Sequence, residues 1–153
     1  MPNTQPPIQL NSQLCFQLYT ANKKFNKFYQ DALSPFSLTY PQYIAMLTLW
    51  QYAPLSVKEL GNHLHLDSGT LTPLLKRLES HNWIKRERSH KDERTVIIQL
   101  THMAVTNRDS VFKRVSNCFK VLNLTPQEKA ACSETIATIE AHLDHYNEQH
   151  NAN

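Results

Sequence analysis

Only two glycines occur in the 153 residues, Gly61 and Gly69, and neither stands in a GxxxxGK or GxGxxG setting. A glycine-rich loop that cradles nucleotide phosphates is therefore excluded. Apolar runs are short, and none approaches the roughly 18 residues that a membrane span requires. The opening MPNTQPPIQL lacks the basic start and apolar block of a secretory signal, so a cytoplasmic protein is expected. Cysteine is limited to Cys15, Cys118 and Cys132, with no CxxC pair. In a reducing compartment this spacing argues against a disulfide framework and against a cysteine-rich zinc site. Histidines are more frequent but scattered, and only His142 and His145 share a helical face. Without a carboxylate or thiol at ligand spacing, no metal and no other cofactor is expected. No nucleophile–base pairing is visible either, which argues against turnover catalysis.

What is present is ordinary globular material. Apolar residues make up 41% and charged residues 19%, enough for one domain spanning 1–153 with a real core. The net charge of +3 is modest. Its distribution says more, because KRERSHKDER at 85–94 concentrates basic residues in one spot.

Along the chain, residues 1–7 carry three prolines and no apolar pattern, and read as a loose arm. From 8 to 33, Leu10, Leu14, Leu18, Phe25, Phe28 and Leu33 recur mostly at helical steps. Phe16, Tyr19 and Tyr29 widen that apolar face beyond what one small domain readily covers. Thr39-Tyr40-Pro41 starts a second helix, whose body QYIAMLTLWQY is apolar nearly all round and should be core. Ser56 and Glu59 form a capping box for a short helix ending near His65. Asp67-Ser68 caps the next, with Pro73 in its first turns, where a missing donor costs little. Leu71, Leu74, Leu75 and Leu78 make its buried stripe, leaving Ser68, Thr70, Thr72, Lys76 and Arg77 outward. The period then changes, and 83–88 and 95–100 read as a β-hairpin around a polar turn. A long helix follows from Thr101 to about Leu122, and Thr125-Pro126-Gln127-Glu128 starts a last one ending near Tyr146.

Helix, short helix, capped helix and basic hairpin come in the order of a winged helix-turn-helix. The expected fold is mainly α with a small β-hairpin wing. Such a head places a helix in the major groove of double-stranded DNA. Ser68, Thr70, Thr72, Lys76 and Arg77 would meet bases or phosphates from the reading helix. Lys91 and Arg94 at the wing tip would reach the minor groove, and Arg86 and Arg88 would contact or steer toward phosphates. The bland alternative makes these charges the solvated faces of a protein-binding domain. Topology, caps and basic wing coincide, which favours DNA.

Four stretches carry a resemblance: LCFQLY at 14–19, LTYPQYIAMLTLW at 38–50, LSVKELGNHLHLDSGTLTPLLKRLE at 55–79 and DERTVIIQLT at 92–101. Together they resemble the MarR family of winged-helix repressors, and LDSGTLTPLLKRLE resembles its organic-hydroperoxide-sensing, OhrR-like branch. Asp92 and Arg94 match the family's DxR pattern, which implies a structural role for Asp92 in the wing. The resemblance implies a homodimer formed by helices at 8–33 and 101–148, with a head at about 39–100. It also implies a pseudo-palindromic operator with half-sites one helical turn apart.

Cys15 has two readings on the residues alone: a small buried hydrophobe, or a reactive thiol. The resemblance implies the second, with an organic hydroperoxide as signal. It further implies that Tyr29 and Tyr40 of the partner subunit supply hydroxyl donors, with Tyr19 one turn after Cys15. Oxidation would give a sulfenic acid, then a disulfide or a backbone sulfenamide, and the operator would be released. Cys118 falls near the resolving cysteine of two-cysteine members, yet its apolar position fits a core role equally well. Cys132 reads as structural, or as a partner for Cys15, which a small external thiol would also serve. Two alternatives remain open: a regulator governed by a small phenolic ligand, and a thiol peroxidase.

Overall fold

The computed structural model describes residues 9–151, except for the side chains of Phe119 and Asn151. The proline-rich arm at 1–7 lies outside the described residues. The chain divides into two compact units, Met1–Cys118 and Phe119–Asn153.

A 3₁₀ turn at Leu10–Ser12 precedes helix α1, Leu14–Leu33. The helix was expected from residue 8. Instead Ser12 turns its hydroxyl onto the carbonyl of Gln9 at 2.8 Å, and Gln13 is extended. Short polar side chains that bond the local backbone compete with helix in this way. After Pro35 and a left-handed Ser37, Thr39 caps α2, Tyr40–Tyr52. Gln42 completes the cap by accepting the Thr39 amide at 2.8 Å. Helix α2 buries Tyr43, Ala45, Met46 and Leu49. It is not core all round, because Ile44 and Leu47 remain 37% exposed.

Strand β1, Leu55–Ser56, was not anticipated; two residues carry no readable period. Ser56 also caps α3, Val57–Leu64, through the expected box with Glu59. His65, at φ 53°, then turns the chain left-handed, and the Leu66 amide returns to the Gly61 carbonyl at 3.0 Å. Asp67 caps α4, Ser68–Ser80. Pro73 is its sixth residue, within the first turns as expected but past the positions whose amides lack a partner, so the Gly69 carbonyl loses its helical donor. Gly69 is exposed, which leaves that carbonyl to water.

Strands β2, Ile84–Arg88, and β3, Val96–Leu100, pair antiparallel from Ile84↔Leu100 to Arg88↔Val96. With β1 on the other edge of β3, the sheet order is β1-β3-β2. Thr101 accepts the Ala104 amide at 3.1 Å and starts α5, His102–Phe119. Leu33, Met46, Leu49, Leu60, Leu71, Leu75, Leu78, Ile84, Ile98 and Val111 fill one core beneath the helix-turn-helix and the sheet. In the second unit Thr125 and Glu128 form the expected box for α6, Pro126–Asn151. This helix passes the expected end at Tyr146, because Tyr146 stacks on His150 and His145 bonds Gln149 at 2.9 Å. Among the described residues, no helix is long and apolar enough to cross a membrane.

Gly61 sets the spacing of the helix-turn-helix. A Cβ there would lie 2.8 Å from the Leu66 carbonyl oxygen and 3.2 Å from Leu71 Cδ1. Gly61→Ala is expected to cost about 1–3 kcal/mol through overpacking, read as a lower urea midpoint at unchanged m. Gly69→Ala, which meets only the Asp67 carboxylate, is expected to cost less.

Candidate nucleic-acid interface and redox site

Helix α4 presents its polar face as expected: Ser68, Thr70, Thr72, Lys76 and Arg77 are all exposed. Its first turn is organised by Asp67, which accepts the Thr70 amide at 2.8 Å and the Thr70 hydroxyl at 3.1 Å. Those bonds, the amide first, hold the Asp67 carboxyl below its ordinary range. Thr72 turns its hydroxyl back onto the Ser68 carbonyl at 2.7 Å.

The wing is tied from within. Asp92 accepts the Arg94 amide at 3.0 Å and the Thr95 hydroxyl at 3.0 Å, an Asx turn that shapes the tip. Lys91 and Arg94 are exposed there, and Arg88 donates to the Glu93 carbonyl at 3.3 Å. Arg86, expected to face phosphates, is engaged inside the head. Its Nε and Nη2 donate to Glu79 Oε2 at 2.9 and 2.6 Å, and its amide to Glu79 Oε1 at 3.0 Å. Glu79 was not singled out from the sequence, since nothing in a seven-residue spacing across a turn signals the pair. A groove of about 390 Å³ runs between α4 and the wing, lined by Ser56, Lys58, Ser68, Thr72, Arg86 and Arg94. Lys58 is a second addition to the expected set.

The residues expected to sense oxidant fall into two places. Tyr29 and Tyr40 stack almost parallel, centroids 4.1 Å apart and planes 6° apart, and Tyr43 lies 5.6 Å from Tyr29. Burial, then the neighbouring Tyr40 and Tyr43, push Tyr29 up to about 12, so it remains a phenol donor at neutral pH. Tyr43, which is not among the site residues expected from the sequence, is raised for the same leading reason. Cys15 is exposed near the start of α1. From Cys15 to Tyr29 the helix advances about 21 Å, at 1.5 Å per residue, so a chain's own Cys15 cannot touch its tyrosine pair. Tyr19 is near Cys15 on the same helix but stacks on Phe16 at 6.4 Å. A cavity of about 680 Å³ beside the tyrosines is lined by Lys23, Lys24, Lys27, Gln30, Thr39 and Tyr40. Cys118 is half-buried on α5, and Cys132 is exposed on α6.

The Glu79 contact makes a pH prediction. Arg86 hydrogen bonds hold the Glu79 carboxyl below its ordinary 4.5. A depressed carboxylate stabilises the fold above its unfolded value and loses that contribution as pH falls through the folded one. The Arg86 amide is therefore expected to lose hydrogen-exchange protection as pH drops below 4.5, before the β2–β3 ladder as a whole does.

Comparison with known proteins places this geometry. A model of the family "Transcriptional regulator SarA/Rot" matches residues 27–111. The organic hydroperoxide resistance transcriptional regulator of Bacillus subtilis is 48% identical over 101 residues, covering 66% of this chain and 69% of that protein. The structure of reduced AbfR bound to DNA is 39% identical, with a TM-score of 0.81 over 90% of this chain and 94% of that one. Disulfide-formed AbfR, a protein known from Staphylococcus epidermidis, is also 39% identical, with a TM-score of 0.66 over 91% of this chain and 92% of that one. With its helix-turn-helix, three-stranded wing sheet and tyrosine pair, the chain belongs to the MarR family of winged-helix transcriptional regulators, in the branch of the organic hydroperoxide regulators.

Proposed function

We propose that this protein is a cytoplasmic, homodimeric repressor that binds operator DNA and releases it when an organic hydroperoxide oxidises Cys15. The observation that carries the reading is the span of α1 between an exposed Cys15 and a tyrosine pair it cannot reach. A second copy supplies what one chain lacks. Leu10 in the preceding turn and Leu14, Leu18 and Tyr19 on the start of α1 leave an open apolar face, between 41% and 63% exposed. On α6, Ile136, Ile139, Leu143 and Tyr146 recur at the three- and four-residue steps of a helix-pairing seam. Three of these, Ile136, Leu143 and Tyr146, are about half exposed. Pairing two chains covers both faces and brings each Cys15 to the partner's tyrosines.

In that arrangement the Tyr29 and Tyr40 hydroxyls donate to the Cys15 thiolate and orient it. The thiolate sulfur attacks the outer oxygen of ROOH. The S–O bond forms as the O–O bond breaks, and the alkoxide leaves as ROH after taking a proton. Cysteine is oxidised to sulfenic acid, and the peroxide is reduced to an alcohol. A second thiol then displaces water to give a disulfide; Cys118, Cys132 and a small external thiol are the candidates. Losing the thiolate–phenol contacts repacks the dimer helices, and a few ångströms at the heads is enough to lose operator register. Ser68, Thr70, Thr72, Lys76 and Arg77 read the major groove, Lys91 and Arg94 the minor groove, and Arg88 the backbone, with Asp92 holding the wing tip.

A gel-shift assay tests the switch. Cumene hydroperoxide is expected to weaken wild-type operator binding more than tenfold, whereas Cys15→Ser stays bound; equal release by the two would end the redox reading. The wing has its own test. Arg94→Ala is expected to weaken operator binding and to flatten the log–log salt slope by about 0.9, measured by anisotropy.

The cavity beside Tyr40 supports a second reading, control by an anionic phenol. Three lysines and an aromatic wall at about 680 Å³ suit such a ligand. Release of DNA by salicylate from Cys15→Ser protein would favour it.

A further inference from the structure

The groove between α4 and the wing holds three cations, Lys58, Arg86 and Arg94. Among the described residues, Arg86 is the only one of them in an ion pair. Its side chain is 25% exposed and that of Glu79 37%, so the pair stands at the wall of the groove rather than deep in the core. Two guanidinium donors converge on Glu79 Oε2, and the Arg86 amide holds Oε1. This three-point grip has two consequences. It fixes the root of the wing to the C-terminal part of α4, and it cancels a positive charge where DNA phosphates would pass.

Affinity for DNA of any sequence comes from phosphate neutralisation and counterion release. Discrimination is the ratio of operator affinity to that sequence-blind affinity. A charge that adds to both terms raises affinity without improving the ratio. Lys58 and Arg94 already offer the groove two uncompensated charges.

We propose that Glu79 is a specificity-determining residue that acts through Arg86: it withholds Arg86 from the DNA backbone and so keeps sequence-blind affinity low. The inference rests on the DNA-binding reading above. It departs from the expectation that Arg86 itself contacts a phosphate. Glu79 is a positioning residue here, since it touches Arg86 and not the nucleic acid.

The test uses full-length reduced protein and two duplexes, one of mixed sequence and one selected by the wild-type protein from a random pool. Anisotropy titrations between 50 and 200 mM salt would compare wild type, E79Q, R86Q and the double variant. E79Q is expected to bind the mixed duplex at least threefold more tightly, with a salt slope steeper by about 0.9, one added phosphate contact. The selected-to-mixed ratio falls accordingly. The double variant, which loses both charges, is expected to keep the wild-type slope. R86Q alone, which strands a carboxylate in the groove, weakens binding to both duplexes.

A merely structural pair would lower the melting temperature of E79Q and leave its slope unchanged, which would overturn the proposal. A double variant whose slope falls by about 0.9 would overturn it too, because Arg86 would then already sit on a phosphate in the wild type. If E79Q does not fold, the double variant, with two amides able to bond each other, still decides. Absence of salt-dependent binding by the wild type to either duplex would sink the DNA-binding reading itself, a failure distinct from the others.

Discussion

The rise of an α-helix governs how this protein can sense anything. Helix α1 carries Cys15 near one end and Tyr29 near the other, and its hydrogen-bonded ladder holds them about 21 Å apart. No side-chain motion closes such a gap. If the thiol is to be oriented by those phenols, they must belong to another chain. Oxidant sensing and dimerisation then become the same structural event. The uncovered apolar faces of α1 and α6 fit this requirement, because a dimer buries surface that the single chain leaves wet. Burial, then the neighbouring Tyr40 and Tyr43, push Tyr29 up to about 12, so its phenol keeps its proton and can act as a hydrogen-bond donor.

The head, by contrast, is packed within one chain. Its core is contributed by α2, α3, α4 and the sheet, closed by Leu33 of α1 and Val111 of α5, and its joints are specific rather than merely greasy. Gly61 lets the first helix of the motif approach the loop before the second. Asp92 bends the wing tip with two hydrogen bonds. Glu79 ties wing root to reading helix with three. Polar contacts of this kind contribute modestly to net stability. Their larger effect is to fix angle and register, which matters more for a surface that must meet two grooves at once.

Much of this was legible in the sequence, for identifiable reasons. Capping boxes at Ser56/Glu59 and Thr125/Glu128 are local, so their residue types and spacing suffice. The stripe of α4, buried at Leu71, Leu75 and Leu78 and half-buried at Leu74, follows from a period of 3.6, and the two hairpin strands from the change of period after Trp83. Three features were not legible. Strand β1 is too short to show a period, and Pro73, expected where a missing donor costs little, lies deep enough to cost a helical hydrogen bond. The Glu79–Arg86 pair joins residues on different elements, and only the path of the turn at His81-Asn82 brings them together. The tyrosine cluster was half visible: Tyr29 and Tyr40 came from family resemblance, whereas Tyr43 needed the packing of α1 against α2.

Helix α2 connects the tyrosine stack to the wing root. Tyr40 is its first residue and lies in the stack with Tyr29. Near its other end Trp50 donates to the Ala104 carbonyl at 3.0 Å and meets Trp83 edge-on at 6.2 Å, just before the first wing strand. Between those points Ala45, Met46 and Leu49 are fully buried. A close-packed rod held at both ends cannot absorb a displacement by bending; it transmits it, because interiors at crystalline packing density have no slack. In the proposed switch, a change in what the phenol of Tyr40 contacts would therefore reach the wing root along one helix, from Tyr40 to Trp50. In that switch one helix would both carry Tyr40 of the sensing stack and brace the wing root through Trp50, so the two sites would need no separate relay.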